Sequence, residues 1–205
     1  LYKENSTVFV SFESEKQNVM QVKRKPTAGR LLISEPFLQD MHFQRSVVLI
    51  ADYSQEGAFG LVINKPIETR LSEVMDEFSD FDPVLYLGGP VQTTDLFFIH
   101  GYGNEIKGSY IIKDNLAWGG DIRQVKEMIA QGKIHENKIR FFVGYSGWSP
   151  HQLDEELKRK SWVVAEHEVN NLFSQDPENL WEQSLTQLGS VYKQWVNFPV
   201  NPLYN

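Results

Sequence analysis

The sequence predicts one domain built from short buried strands with a smaller complement of helices. Three observations carry that reading. The chain has 205 residues, 41% hydrophobic and 13% aromatic, which is enough for one compact core. Apolar, β-branched runs of strand length recur between turn residues, while only a few stretches repeat their apolar residues at helical spacing. No internal repeat, low-complexity tract or linker divides the chain. Residues 1–26 read as a polar N-terminal extension and 27–205 as a single globular domain.

Within the extension, Val8-Phe9-Val10-Ser11-Phe12 is a short apolar alternation. Leu31-Leu32-Ile33 reads as a strand stopped by Glu35-Pro36. Ser46 to Ala51 and Phe59 to Asn64 read as two buried strands joined by the polar turn from Asp52 to Gly57. Pro66, with no N–H to give a ladder, ends the second. Leu71, Val74, Met75 and Phe78 recur at the spacing of a short amphipathic helix. Val84 to Leu87 is a strand that runs into the permissive turn Gly88-Gly89-Pro90, and Leu96 to Ile99 and Ser109 to Ile112 are two more.

Asp121 caps a helix whose apolar face is Ile122, Val125, Met128 and Ile129, with Gly132 at its left-handed C-terminal position. Ile139 to Val143 is a further buried strand. Ser149-Pro150-His151-Gln152 fits a capping box: Ser149 at the N-cap, Pro150 at the first helical position, Gln152 reaching back. Trp148 and Leu153 supply the matching hydrophobic staple. Asp176-Pro177 opens a C-terminal helix whose stripe of Trp181, Leu185, Leu188, Tyr192 and Trp195 reads as core, interrupted at Gly189. Pro199 and Pro202 keep the tail extended.

Composition removes several function classes. Without cysteine there are no disulfides, thiolate zinc sites, iron–sulfur clusters or cysteine nucleophiles. The formal charge is −7, and residues 1–25 hold five bases against three acids, so the body is more acidic than the whole. A field of that sign repels phosphate backbones. Lys23-Arg24-Lys25 and Lys158-Arg159-Lys160 run against the trend; the second is the surface a DNA-binding regulator would use, a reading the charge disfavours. No window approaches the ~18 apolar residues needed to cross a bilayer, and Leu1 to Met20 lacks the pattern of a secretory signal. The expectation is a cytoplasmic protein with no membrane association, whose charge disfavours a nucleic-acid partner and leaves a direct DNA-binding regulator as an alternative.

The sharpest chemical lure is Gly144-Tyr145-Ser146-Gly147-Trp148, which follows a buried strand and precedes a helix as a hydrolase nucleophile elbow does. That elbow needs glycine two residues after the serine, where Trp148 stands. A serine hydrolase using Ser146 with His100 or His167 as a distant base is therefore the alternative, not the leading reading. His151 and Asp154 lie one helical turn apart and do not aim an imidazole at Ser146. Gly101-Tyr102-Gly103 is followed by a strand, so it lacks the helix N-terminus of a dinucleotide loop. The histidines His42, His100, His135, His151 and His167 match no metal-ligand spacing. No catalytic residue, metal or cofactor is expected.

Gly60-Leu61-Val62-Ile63-Asn64-Lys65-Pro66, Leu87-Gly88-Gly89-Pro90-Val91 and Gly144 to Trp148 with Gln152-Leu153 occur in the order typical of the YqgE/AlgH family of bacterial proteins. Gly29 to Phe37 resembles that family's opening, and the resemblance runs from about Asn18 to Tyr192. It implies a single α+β domain with a strongly bent, partly split mixed sheet forming a pseudo-barrel, flanked by helices. No enzymatic activity is established for the family this chain resembles, and some members carry a transcriptional-regulator label. Many members carry alanine at the Ser146 position, which fits a requirement for a small residue better than one for a nucleophile. A regulator acting through a protein partner reconciles that label with the acidic body. The binding surface is expected at Asn64, Gly88, Gly89, Pro90, Tyr145, Ser146, Gly147 and Trp148, where loops at strand ends offer backbone donors beside aromatics.

Overall fold

The computed structural model describes residues 24–78, 81–166, 172–173 and 176–199. Its strands are β1 (Leu31–Ser34), β2 (Val47–Ser54), β3 (Gly57–Val62), β4 (Pro66–Arg70), β5 (Val84–Leu87), β6 (Val91–His100), β7 (Tyr110–Lys113), β8 (Leu116–Trp118), β9 (Ile139–Trp148) and β10 (Trp162–Ala165). The helices are α1 (Leu71–Val74), α2 (Ile122–Ala130), α3 (Gln152–Lys158), α4 (Leu180–Gln187) and α5 (Ser190–Lys193). The strands pair in the order β10-β1-β2-β3-β9-β6-β8-β7, with β5 added on β9 and β4 on β5. Every pairing is antiparallel except β5 with β9, so the sheet is mixed and the domain is α+β.

The bend comes from β9, which belongs to two half-sheets. Its first half pairs with β6 and β5, through Phe142 opposite Phe97 and Tyr86. Its last three residues pair with β3, Ser146 opposite Gly60, Gly147 opposite Phe59 and Trp148 opposite Ala58. Side chains on the inner face of strands from both ends of the order, including Leu31, Leu49, Leu61, Ile99, Ile112, Leu116, Phe142 and Ala165, meet in one cluster. The sheet therefore curls around a single interior. β7 returns to the chain just before β1, where a Cβ built on Gly29 would stand 2.9 Å from the Lys113 Cβ. The sheet is nonetheless not closed into a barrel, because its path ends at β10 and β7.

Helix α4 fills the interior with Trp181 and Leu185, and the Trp181 indole N–H donates to the Ser34 carbonyl at 3.0 Å. On the outer face α1 and α2 cover Leu85, Phe98 and Phe141, and α3 covers Leu32, Val48, Ile50 and Val62. Strands buried on both faces need unbroken apolar runs, which is why Leu31 to Ile33 and Val47 to Ile50 do not alternate with polar residues.

Several elements differ from the sequence expectation. The helix expected over Leu71 to Phe78 is one turn of α1 followed by a 3-10 turn, Asp76–Phe78. Met75 is extended between them, so Val74 lies exposed while Leu71 and Phe78 are buried. Strands β2 and β3 extend into the expected polar turn, leaving a tight connection at Gln55 and Glu56. Pro66 opens β4 instead of merely ending a strand: it is the first residue of an edge strand, where a missing N–H costs nothing. No strand is expected from the sequence at β8 or β10, whose strand state comes from pairing with β6 and β7 and with β1.

Other expectations hold in detail. The Asp121 carboxylate accepts from the Arg123 N–H at the head of α2. Past its end, Gly132 sits at φ +67° while Lys133 N–H reaches the Met128 carbonyl at 2.9 Å. Gly189, at φ +106°, separates α4 from α5. The Val8 to Phe12 alternation and the tail beyond residue 199 lie outside the described residues.

Candidate functional site

Part of the set singled out in the sequence, the turn Gly88 to Pro90 and the segment Gly144 to Gly147, meets where β9 passes from one half-sheet to the other. Gly144 adopts φ +69°, and a Cβ there would stand 2.6 Å from the Gly89 carbonyl oxygen and 2.9 Å from that of Val91. Gly88 faces the same crossing: a Cβ on it would stand 2.3 Å from the Gly144 carbonyl oxygen. Two backbones meet here with no room for side chains, so glycine is required on both. The Gly88 N–H donates to the Val143 carbonyl at 2.9 Å, and the Gly88 carbonyl accepts from the Val62 N–H at 2.8 Å.

The Ser146 hydroxyl is fully buried and donates to that same Gly88 carbonyl at 2.9 Å. Neither ring nitrogen of His100 is turned to it. The Tyr102 N–H donates to His100 Nδ1 at 3.3 Å, which leaves the proton on Nε2, near the Ser109 hydroxyl at 3.0 Å and the Gly119 carbonyl at 3.2 Å. Burial pushes the His100 pKa down to about 4, against a smaller opposing effect of the Gly119 carbonyl, so the ring is neutral. His167 lies outside the described residues. His151 is exposed at φ +64° with its Nδ1 4.0 Å from the Asp154 carboxylate.

The other expected site residues separate. Asn64 is a strap at the end of β3: its amide oxygen accepts from the Val47 N–H at 2.8 Å and its amide donates to the Arg45 carbonyl at 3.0 Å. Trp148 turns to the outer face beneath α3, where Glu156 Oε2 accepts from its indole at 2.9 Å and from that of Trp162 at 2.7 Å. Tyr145 turns the opposite way and packs half-buried on Phe59 and Phe97 along the inner face. Pro90 and Gly147 are exposed at the crossing, and Gly89 is buried.

The helix entrance after Trp148 departs from the expected capping box. Gln152 does reach back, its side-chain oxygen accepting from the Ser149 N–H at 3.0 Å. The N-cap position, however, is His151 in a left-handed conformation, so α3 begins at Gln152. Lys158, at the other end of α3, ion-pairs with Glu155 at 2.6 Å, and that exposed contact pulls the Glu155 carboxyl below its usual range. A cation in the last turn also complements the helix dipole.

Sequence reasoning passed over Arg140. Its guanidinium is buried, donates to the Ile63 carbonyl at 2.9 Å and the Phe173 carbonyl at 3.3 Å, and lies 4.4 Å over the Tyr86 ring. Burial lowers its pKa from the ordinary arginine value. The alternation of a charge with Ile139, Phe141 and Val143 was the available signal. The placement of its carbonyl partners, Ile63 just past β3 and Phe173 between β10 and α4, was not readable. Among the described residues no group of three or more His, Asp or Glu is arranged to hold a metal ion, and no helix is long and apolar enough to cross a membrane.

Comparison with known proteins gives a consistent result. A family model described as AlgH-like matches residues 31–193. The UPF0301 protein BF2109 of Bacteroides fragilis is 41% identical over 95% of this chain and 96% of its own length. Among solved structures, the AlgH protein of Pseudomonas aeruginosa aligns with a TM-score of 0.66 at 28% identity, covering 86% of this chain and 97% of that one. The crystal structure of protein DIP2367 from Corynebacterium diphtheriae aligns with a TM-score of 0.68 at 20% identity, over 86% and 94% of the two chains, and speaks to the fold alone.

Proposed function

We propose, starting from the fact that this chain belongs to the AlgH-like family of UPF0301 proteins, that it acts in the cytoplasm by binding a protein partner, as a regulatory and transcription-related component without catalysis of its own. The observation that carries this reading is the Ser146 hydroxyl, the one nucleophile in an elbow-like context, which is buried and donates to the Gly88 carbonyl. That hydrogen bond points the hydroxyl proton at a carbonyl oxygen, and among the described residues no histidine accepts it. The acidic balance, −7 overall, supports a protein partner over DNA. The contact surface is formed by Pro90, Tyr145 and Gly147, with Asn64, Gly88, Gly89, Ser146 and Trp148 holding it in shape.

Affinity capture from native lysate, followed by reconstitution from two purified proteins, tests the reading. A recurrent partner whose binding is lost on Tyr145→Ser, with the fold intact by circular dichroism, is the expected result. No recurrent partner, together with turnover of an ester substrate that disappears in Ser146→Ala, overturns it.

A further inference from the structure

Five aromatic rings, one from each of five strands, form a continuous row along the inner face of the curled sheet. Tyr145 of β9 packs on Phe59 of β3 and Phe97 of β6 with ring centroids 5.1 and 5.4 Å apart. Phe59 then meets Trp118 of β8 at 4.6 Å, and Trp118 stacks on Tyr110 of β7 at 4.7 Å and 17°. The register produces the row: Phe59 lies opposite Gly147, over which the Tyr145 ring folds, and Tyr110 lies opposite Trp118. Four of the rings are half-buried against the core beneath, and Tyr110 at the end is 62% exposed.

Two exposed carboxylates stand next to the row in the sheet. Asp52 is the cross-strand partner of Phe59 and is exposed. Asp95 stands two residues before Phe97 on β6, at the stretch where the register with β9 shifts, and is also exposed.

We propose that this row is the docking surface for a basic segment of a partner protein, whose lysine and arginine side chains lie on the ring faces and against Asp52 and Asp95. The proposal rests on the protein-partner reading above and supplies the partner's chemistry. Ring faces attract cations, most strongly where water is partly excluded. This chain already uses its rings that way, with Arg140 4.4 Å over Tyr86 and Arg45 4.9 Å over Trp181. The charge of −7 steers a segment of opposite sign toward the surface.

The test is calorimetric titration of the purified full chain with an oligoarginine peptide and an oligoglutamate peptide of equal length. Oligoarginine binds and oligoglutamate does not. Tyr110→Ala weakens oligoarginine binding roughly threefold, the scale of one exposed cation–ring contact. Asp52→Asn combined with Asp95→Asn weakens it further, while Glu127→Gln on α2 leaves it within error. Absence of oligoarginine binding, or equal weakening by Glu127→Gln and Asp52→Asn, overturns the proposal, because the attraction is then general charge alone. Conversion of a dimer to a monomer by Tyr110→Ala in sedimentation overturns it as well, since a second copy then covers the row. A reconstituted partner that still binds Tyr110→Ala while oligoarginine does not bind removes this surface and leaves the protein-partner reading standing.

Discussion

The Ser146 hydroxyl donates to the Gly88 carbonyl at 2.9 Å, and the same carbonyl accepts from the Val62 N–H at 2.8 Å. One oxygen thus ties β3, the turn after β5 and the bend of β9 together. Removing the hydroxyl leaves that oxygen with its Val62 bond, so no buried acceptor is orphaned. Ser146→Ala is expected to lower unfolding stability by about 1 kcal/mol, the net value of one buried hydrogen bond. Urea denaturation measures it.

Gly144 and Gly132 share a left-handed conformation, at φ +69° and +67°, in opposite surroundings. A Cβ on Gly132 meets nothing within 4 Å, whereas one on Gly144 meets two carbonyl oxygens inside 3 Å. Gly132→Ala is expected to cost about 1 kcal/mol, from backbone strain alone. Gly144→Ala adds a backbone clash at the crossing and is expected to cost more than about 4 kcal/mol, a range reached only by severe core or backbone disruption. Thermal and urea unfolding of the two variants separates strain from space.

Glu156 accepts indole hydrogen bonds from both Trp148 and Trp162 and a third from the Gln152 amide. Glu156→Gln replaces a charged acceptor with a neutral one and turns one acceptor into a donor. The expected loss is about 2 kcal/mol, accompanied by a change in the near-ultraviolet circular dichroism of the tryptophans. An unchanged spectrum and stability would remove Glu156 as the anchor of α3.

Burial holds the His100 pKa at about 4 in the folded chain, against 6.5 for an ordinary histidine. The unfolded chain therefore binds the extra proton first as pH falls. The contribution of this group to stability is complete above pH 6.5 and is lost as pH falls from 6.5 toward 4. His100→Gln, which cannot titrate, is expected to flatten that part of the stability profile in urea unfolding across this window. A wild-type profile with the same slope as the variant would contradict the assignment.

The interior strands were legible in the sequence because their runs are apolar on both faces, as in Leu31 to Ile33 and Val47 to Ile50. The caps of α2 were legible because Asp121 and Gly132 act within one turn of chain. What escaped depends on pairing between distant segments. Trp162 begins β10 only because Leu31 to Ser34 lies beside it, and the aromatic row exists only through the registers of five strands. The candidate site divided for the same reason: Tyr145 and Trp148, three residues apart, fall on opposite faces of the sheet. The resemblance to the AlgH-like family carried the fold where local pattern did not reach.

The most direct test of a structural role for Ser146 is exposure of the purified protein to a fluorophosphonate probe, read by intact-mass spectrometry beside Ser146→Ala. A buried hydroxyl bound to a carbonyl predicts no adduct on the folded chain. A single adduct mapping to Ser146, absent from the variant and abolished by unfolding, would contradict it.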